Sequence, residues 1–280
     1  MSALYEIVPN VSEGRDPSTI DACVAAIESA GARVIDRTSD AVHHRSVITA
    51  VGSADAVLSA GVALAGVVLE RIDLREHSGV HPRIGALDVL PFVPLRDATL
   101  DECAGLAHAA GAQIWERFRI PSYYYGAAAL RPERADLPAI RKHVATWPPD
   151  TGDVAHERAG AIAIGARDVL VAFNVELATG DLTVATAIAK LMRGRDGGLR
   201  TLKALGLCLG PDRVQVSFNI TNFRATPIYR VAEVARKLAA DRGVAVVRSE
   251  LIGLIPREAL EATARYYAGL KPPAADASPT

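Results

Sequence analysis

The stretch His77-Ser78-Gly79-Val80-His81-Pro82-Arg83-Ile84-Gly85-Ala86-Leu87-Asp88 runs into the apolar segment Val89-Leu90-Pro91-Phe92-Val93. Gly79 and Pro82 interrupt any helix here, because glycine adds backbone entropy and proline lacks the N–H. The first part therefore reads as a loop and the second, over 88–93, as a strand. Two histidines, an arginine and an aspartate on a loop at a strand end are where scaffolds place chemistry.

Working outward, that strand is the fourth of a series. A strand over 5–9 precedes a helix from Pro17 to about Ala30, with Asp16 as its cap and proline at its first position. Strands over 33–36 and 46–51 follow, joined by a polar link holding Asp40, His43 and His44. An Ala- and Leu-rich helix covers 54–71. The order is β-α-β-β-α-β, that of a ferredoxin-like unit. A helix over 100–118 and a short Tyr-rich strand over 122–125 extend it. Residues 131–160 break the pattern and read as a turn-rich connector around Trp147-Pro148-Pro149-Asp150. The same order then returns: strand 169–175, helix 182–192, strands 202–207 and 213–220, helix 227–242 opened by Thr226, strand 244–247 and a closing helix over 257–267. The expectation is an α+β protein of two ferredoxin-like α/β subdomains, each a sheet covered by helices, with a ligand cleft between them. The expected boundaries are 1–160 with the linker, 161–270, and a disordered tail over 271–280.

Bulk properties narrow the function. The chain has 280 residues, half of them hydrophobic, with a formal net charge of -1. That suits one large or two ordinary domains and points to no nucleic-acid or membrane partner. No apolar run is long enough to span a bilayer, the longest being 62–69. The start of the chain lacks the basic and apolar regions of a signal peptide, so the expected location is cytoplasmic. Cys23, Cys103 and Cys208 are odd in number and far apart, so all three are expected to be small buried hydrophobes. The i, i+4 spacing of His77 and His81 would suit a metal only on a helix, which Gly79 and Pro82 oppose, so no metal is expected.

Four pieces could carry chemistry. His81 is either a loop histidine or a general acid/base, since an imidazole exchanges protons in both directions near neutrality. The loop Val8-Pro9-Asn10-Val11-Ser12-Glu13-Gly14 offers Asn10, Ser12 and Glu13, either as turn caps or as substrate contacts. In the third, 39–46, Asp40 and Arg45 could orient a histidine or hold a carboxylate. Arginine grips a carboxylate with a fork, so Arg45 and Arg83 are the best anchors for an acidic substrate. The fourth, Gly152-Asp153-Val154-Ala155-His156-Glu157-Arg158-Ala159-Gly160, is an ordinary linker or lines a ligand cleft.

These pieces, in this order, resemble the formiminotransferase domain of the formiminotransferase-cyclodeaminase family. The similarity runs from about Tyr5 to Tyr267, and the runs at 8–14 and 81–88 are its most specific parts. The resemblance implies a two-subdomain α/β fold and a homodimer. It implies transfer of the formimino group of N-formimino-L-glutamate to N5 of tetrahydrofolate, a co-substrate, in histidine breakdown. It places the catalytic histidine on His81 and the folate-binding segment on 152–160, with Gly152, Asp153, His156, Arg158 and Gly160 as its candidates. The chain has no room for the cyclodeaminase fused in animal members, so a separate downstream cyclodeaminase is expected. It departs from the family's pattern at Ala127, at His44, at Asp150-Thr151-Gly152-Asp153 and in a shortened segment between Arg141 and Trp147. Two other readings stay open: an enzyme handling 5-formyltetrahydrofolate, of cyclo-ligase type, and a non-catalytic folate-binding paralogue.

Overall fold

Helix boundaries follow from capping side chains. In the computed structural model, which describes residues 3–79 and 83–270, α1 (Pro17–Ser29) starts where Asp16 accepts from the Ser18 N–H. Ser53 caps α2 (Ala54–Arg71) in the same way. Thr99 and Glu102 form a reciprocal capping box at α3 (Leu100–Phe118), satisfying N–H groups that a first turn leaves open.

These helices cover one face of a seven-stranded sheet. Its strands are β1 (Leu4–Ile7), β2 (Asn10–Val11), β3 (Arg33–Asp40), β4 (Arg45–Gly52), β5 (Leu87–Arg96), β6 (Ser122–Gly126) and β7 (Ile162–Ala166). β1 and β2 lie end to end, and each pairs antiparallel with β4 on one side and β5 on the other. β3 continues the sheet beyond β4, and β7 and β6 extend it beyond β5 in parallel. Alternation along the strands sorts the faces. Tyr124, Ile162 and Ile164 join the core with Cys23, Ile27, Leu64 and Ile114. Tyr123, Tyr125, Ala161 and Ala163 point the other way, to a smaller cluster with Val89 and Ile140 of α4 (Leu137–His143).

The second unit consists of β8 (Val171–Leu177), α5 (Leu182–Met192), β9 (Leu202–Gly210), β10 (Arg213–Ile220), α6 (Ile228–Ala240), β11 (Val246–Ile252) and α7 (Arg257–Tyr267). The sheet order β11-β8-β10-β9, antiparallel throughout, is the ferredoxin-like arrangement. Val171, Phe173, Val175 and Leu177 alternate into its core with Val216, Phe218, Ile188 and Val231. On the opposite face the buried Glu176 accepts from Arg248 at 2.8 Å and from Arg213 at 3.3 Å.

The two-sheet α+β architecture agrees with the sequence. Several particulars differ. The chain divides after Asp168, not after Gly160, because β7 belongs to the first sheet. All five residues of β7 are buried, so it lacks the alternation that marks a half-exposed strand, and its Ala and Gly are poor strand signals. Residues 131–160 are not a free connector: they contain α4 and pack on the first unit. Asp150 and its fully buried partner Arg134 are joined at 2.5 Å, and the Tyr123 hydroxyl donates to the Trp147 carbonyl at 2.8 Å. Thr226 does not cap α6; its hydroxyl accepts from Thr201, and Pro227 precedes the first turn. Cys23 and Cys103 are buried as expected, whereas Cys208, near the end of β9, is exposed. The expected tail over 271–280 lies outside the described residues.

Candidate functional site

A β-bulge sets the site. Asn10 pairs with Val89 and Val11 with Leu87, so Asp88 is the extra residue on β5. Leu87 and Leu90 both enter the core under the helices, and Val89 faces the other way. The extra residue is what lets the pattern change phase there.

Asp88 is fully buried and accepts on both oxygens. The Ile84 N–H donates to Oδ1 at 2.7 Å. Arg45 Nη1 and Arg141 Nη2 donate to Oδ2 at 2.6 and 2.7 Å. Burial disfavours the charged carboxylate, but the two guanidiniums and the N–H outweigh it and hold Asp88 below the usual carboxylate range. Arg45 also donates to Asn10 Oδ1 from Nε and Nη2, at 3.0 and 2.7 Å. Asn10 returns its amide to the Val8 carbonyl. Four elements (β2, β4, β5 and α4) thus meet through one carboxylate.

Beside this lies a histidine cluster. Glu13 Oε1 accepts from the backbone N–H groups of Gly14, Arg15 and Asp16 and lies 3.0 Å from His44 Nε2. Burial would raise the Glu13 carboxyl; the Arg15 and Asp16 N–H groups and His44 more than offset it, and its pKa is lowered. His44 sits at a φ of 50°, uncommon for a residue with a side chain, and its Nδ1 lies 2.9 Å from the Ser78 carbonyl. Its ring stacks on His77 with centroids 3.9 Å apart. Burial, then the charge of Arg83, then His44 push His77 down to about 4. Arg83 Nη1 lies 2.6 Å from His77 Nδ1, a contact that a neutral imidazole accepts. Arg83 also donates to the His43 and His44 carbonyls.

Most candidates read from sequence fall into this region. Ser12 donates from its hydroxyl to the Gly85 carbonyl at 2.8 Å. Asp40 pairs with His43 Nδ1 at 2.9 Å and accepts from two N–H groups of its own turn, while Arg45 turns to Asn10 and Asp88. His81 lies outside the described residues. The 152–160 segment is anchored at both ends to the first unit. Thr151 and Gly160 bridge to Ser122 and Gly85. Gly152 and Gly160 adopt φ of +90° and +69°, and a Cβ on Gly160 would stand 2.3 Å from the Ile84 carbonyl oxygen. His156 Nδ1 accepts from the Arg158 and Ala159 N–H groups, Arg158 pairs with Asp73 at 3.3 Å, and Asp153 is exposed.

Sequence reasoning missed Asp88 as the hub, Arg141 as its second cation, and His44 with its Glu13 contact. A lone aspartate before an apolar strand carries no signal of burial. Arg141 stands 53 positions from Asp88.

The fold and these side chains define a two-unit α/β protein with a cationic, carboxylate-centred site on its first unit. Its sequence matches the formiminotransferase domain, N-terminal subdomain, over residues 4–167 and the formiminotransferase domain over 172–272. The chain belongs to the formiminotransferase family. It is similar to a glutamate formimidoyltransferase of Thermoplasma acidophilum, with 42% identity over 95% of this chain and 92% of the relative. A glutamate formimidoyltransferase of Streptococcus pyogenes is 41% identical over 95% and 94%. The formimidoyltransferase-cyclodeaminase of Rattus norvegicus is 38% identical over 95% of this chain and 53% of its own.

Proposed function

We propose that this protein is a glutamate formimidoyltransferase, passing the formimino group of N-formimino-L-glutamate to N5 of tetrahydrofolate and releasing L-glutamate. The observation that carries it is the 42% likeness to a glutamate formimidoyltransferase along nearly the whole of both chains. The site chemistry agrees with such substrates. Formiminoglutamate and the folate tail both carry carboxylates, and the site carries Arg45 and Arg141 on the buried Asp88 with Arg83 against His77.

In this reading N5 attacks the protonated amidine carbon, and His81 takes the N5 proton. The bond from that carbon to the glutamate nitrogen then breaks, and His81 returns the proton to the departing amine. One group near neutrality serves as base and then acid. Glu13 and Asp40 act indirectly, since their carboxylates already face His44 and His43. Residues 152–160 serve the folate as a shaped backbone at Gly152 and Gly160, more than through the internally bonded His156. The protein acts in the cytoplasm as a homodimer, with a cyclodeaminase consuming its product.

The test is turnover of formiminoglutamate and tetrahydrofolate, coupled to a cyclodeaminase, in the parent and in His81→Ala. Loss of a general acid/base slows turnover by roughly two to four orders of magnitude while folate still binds. A parent protein without turnover overturns the reading, and an unchanged rate in the variant removes His81 from its role.

A further inference from the structure

Residues on both sides of positions 80–82 meet one short turn. That turn, His43-His44, lies between β3 and β4. A Cβ on Gly79 would stand 2.7 Å from the His43 carbonyl oxygen and 2.9 Å from the His44 Cβ. The two backbones therefore approach as closely as glycine allows. From the other side, Arg83 donates to the His43 and His44 carbonyls at 3.2 and 3.4 Å. The turn itself is shaped by Asp40, which accepts from the N–H groups of Val42 and His43.

The His44 side chain joins this meeting to a third segment. Its Nδ1 lies 2.9 Å from the Ser78 carbonyl oxygen and its Nε2 3.0 Å from Glu13 Oε1. A carbonyl oxygen only accepts, so Nδ1 bonds Ser78 by donating its proton; with a second proton, on Nε2, the ring donates to Glu13 as well. Glu13 is fixed in turn by the N–H groups of Gly14, Arg15 and Asp16. His77 stacks on the ring with centroids 3.9 Å apart. The imidazole is thus held at both nitrogens and on one face. These bonds contribute little to overall stability. Ser78 is exposed, so water can serve its carbonyl, and Glu13 keeps three N–H groups without His44. What they fix is the course of the chain at Ser78.

We propose that His44 is a positioning residue: by donating from Nδ1 to the Ser78 carbonyl, it fixes the chain that leads to His81. The consequence for the reaction rests on the transferase reading above, in which His81 moves the proton. The contact itself rests on the geometry of the 43–44 turn. A group that takes a proton from N5 and returns it to the amine must keep its station, and a displacement of about 1 Å costs on the order of 100-fold in rate. His44 touches no reacting atom in this role.

The experiment compares the parent with His44→Gln and His44→Asn. The glutamine amide reaches as far as Nε2, so it keeps a donor for Glu13 and loses Ser78. The asparagine amide reaches as far as Nδ1, so it keeps Ser78 and loses Glu13; asparagine also suits the φ of 50° at this position. With formiminoglutamate and tetrahydrofolate, kcat in His44→Gln falls roughly 10- to 100-fold at nearly unchanged KM. His44→Asn recovers most of that loss. Both variants melt within about 4 °C of the parent. A kcat in His44→Gln within about threefold of the parent overturns the inference. An asparagine variant as slow as the glutamine one, or a loss in KM alone, does the same. A glutamine variant that fails to fold or melts far below the parent makes His44 structural and also overturns it. A second readout needs no turnover. In parent protein with labelled histidine nitrogens, NMR shows a proton on His44 Nδ1; a bare Nδ1 overturns the inference. A parent without turnover overturns the transferase reading, while the Nδ1 proton still decides the contact.

Discussion

Arg45 Nη1 donates to Asp88 Oδ2 over 2.6 Å, across a β-bulge that makes Asp88 the one residue of β5 between the partners of Asn10 and Val11. The pair ties β4 to β5 on the sheet face that bears α4. Replacing Asp88 by Ala leaves two guanidiniums facing each other without their shared acceptor. Breaking a buried pair from one side costs about 3–5 kcal/mol. Urea unfolding of Asp88→Ala should show that loss; a difference within about 1 kcal/mol of the parent would mean water replaces the carboxylate.

His77 predicts a pH dependence. Burial and the Arg83 charge depress it to about 4 in the folded protein, against an ordinary value of 6.5. Between those values the unfolded chain binds a proton that the folded chain refuses, so stability rises with pH across the window and falls on acidification from 6.5 toward 4. His77→Gln should flatten this slope, and the His77 ring should show no titration by NMR between pH 5.5 and 8. A midpoint near 6.5 would contradict the Arg83 contact.

The Arg134–Asp150 pair is a second buried ion pair, with Arg134 1% and Asp150 2% exposed. Arg134 lies over the Tyr123 and Trp147 rings at 5.6 and 5.3 Å, and Asp150 also accepts the Tyr124 N–H. Asp150→Ala should cost about 3–5 kcal/mol by stranding a buried cation. It should also speed amide exchange at Tyr124, whose acceptor it removes. Protection there equal to the parent's would show that the strand holds the segment without the pair.

Gly160 and Gly243 share a backbone conformation, with φ of +69° and +68°, but not surroundings. A Cβ on Gly160 would stand 2.3 Å from the Ile84 oxygen, whereas Gly243 has nothing within 4 Å. Ala at Gly243 should cost about 1 kcal/mol of conformational strain. At Gly160 the same change must also part residues 84–86 from 159–161, so a larger loss is expected in thermal unfolding, along with weaker folate binding. Equal losses at the two positions would mean that the bridge to Gly85 yields freely.

Much of the fold was legible where local chemistry specifies it. Asp16-Pro17 marks a helix start that the structure reproduces, and α2, α3, α5 and α7 span the expected residues. β7 and α4 escaped because neither shows its period: one is buried throughout, and the other is two turns long with proline as its second residue. The candidate site was legible as a set of polar loops but not as partnerships. Asp40 and Arg45 stand opposite each other in the hairpin register, yet their side chains go to His43 and to Asn10 and Asp88.

The sequence by itself determined what most segments become, β7 and α4 apart, since capping, strand alternation and turn residues act over a few positions. It also carried the family, through motifs spread along both units. The tertiary structure alone decided which charges meet. Asp88 lies 43 positions from Arg45 and 53 from Arg141, and a bulge of one residue aims its carboxylate at them. A side chain's partner across a sheet depends on register and face, and one inserted residue changes both.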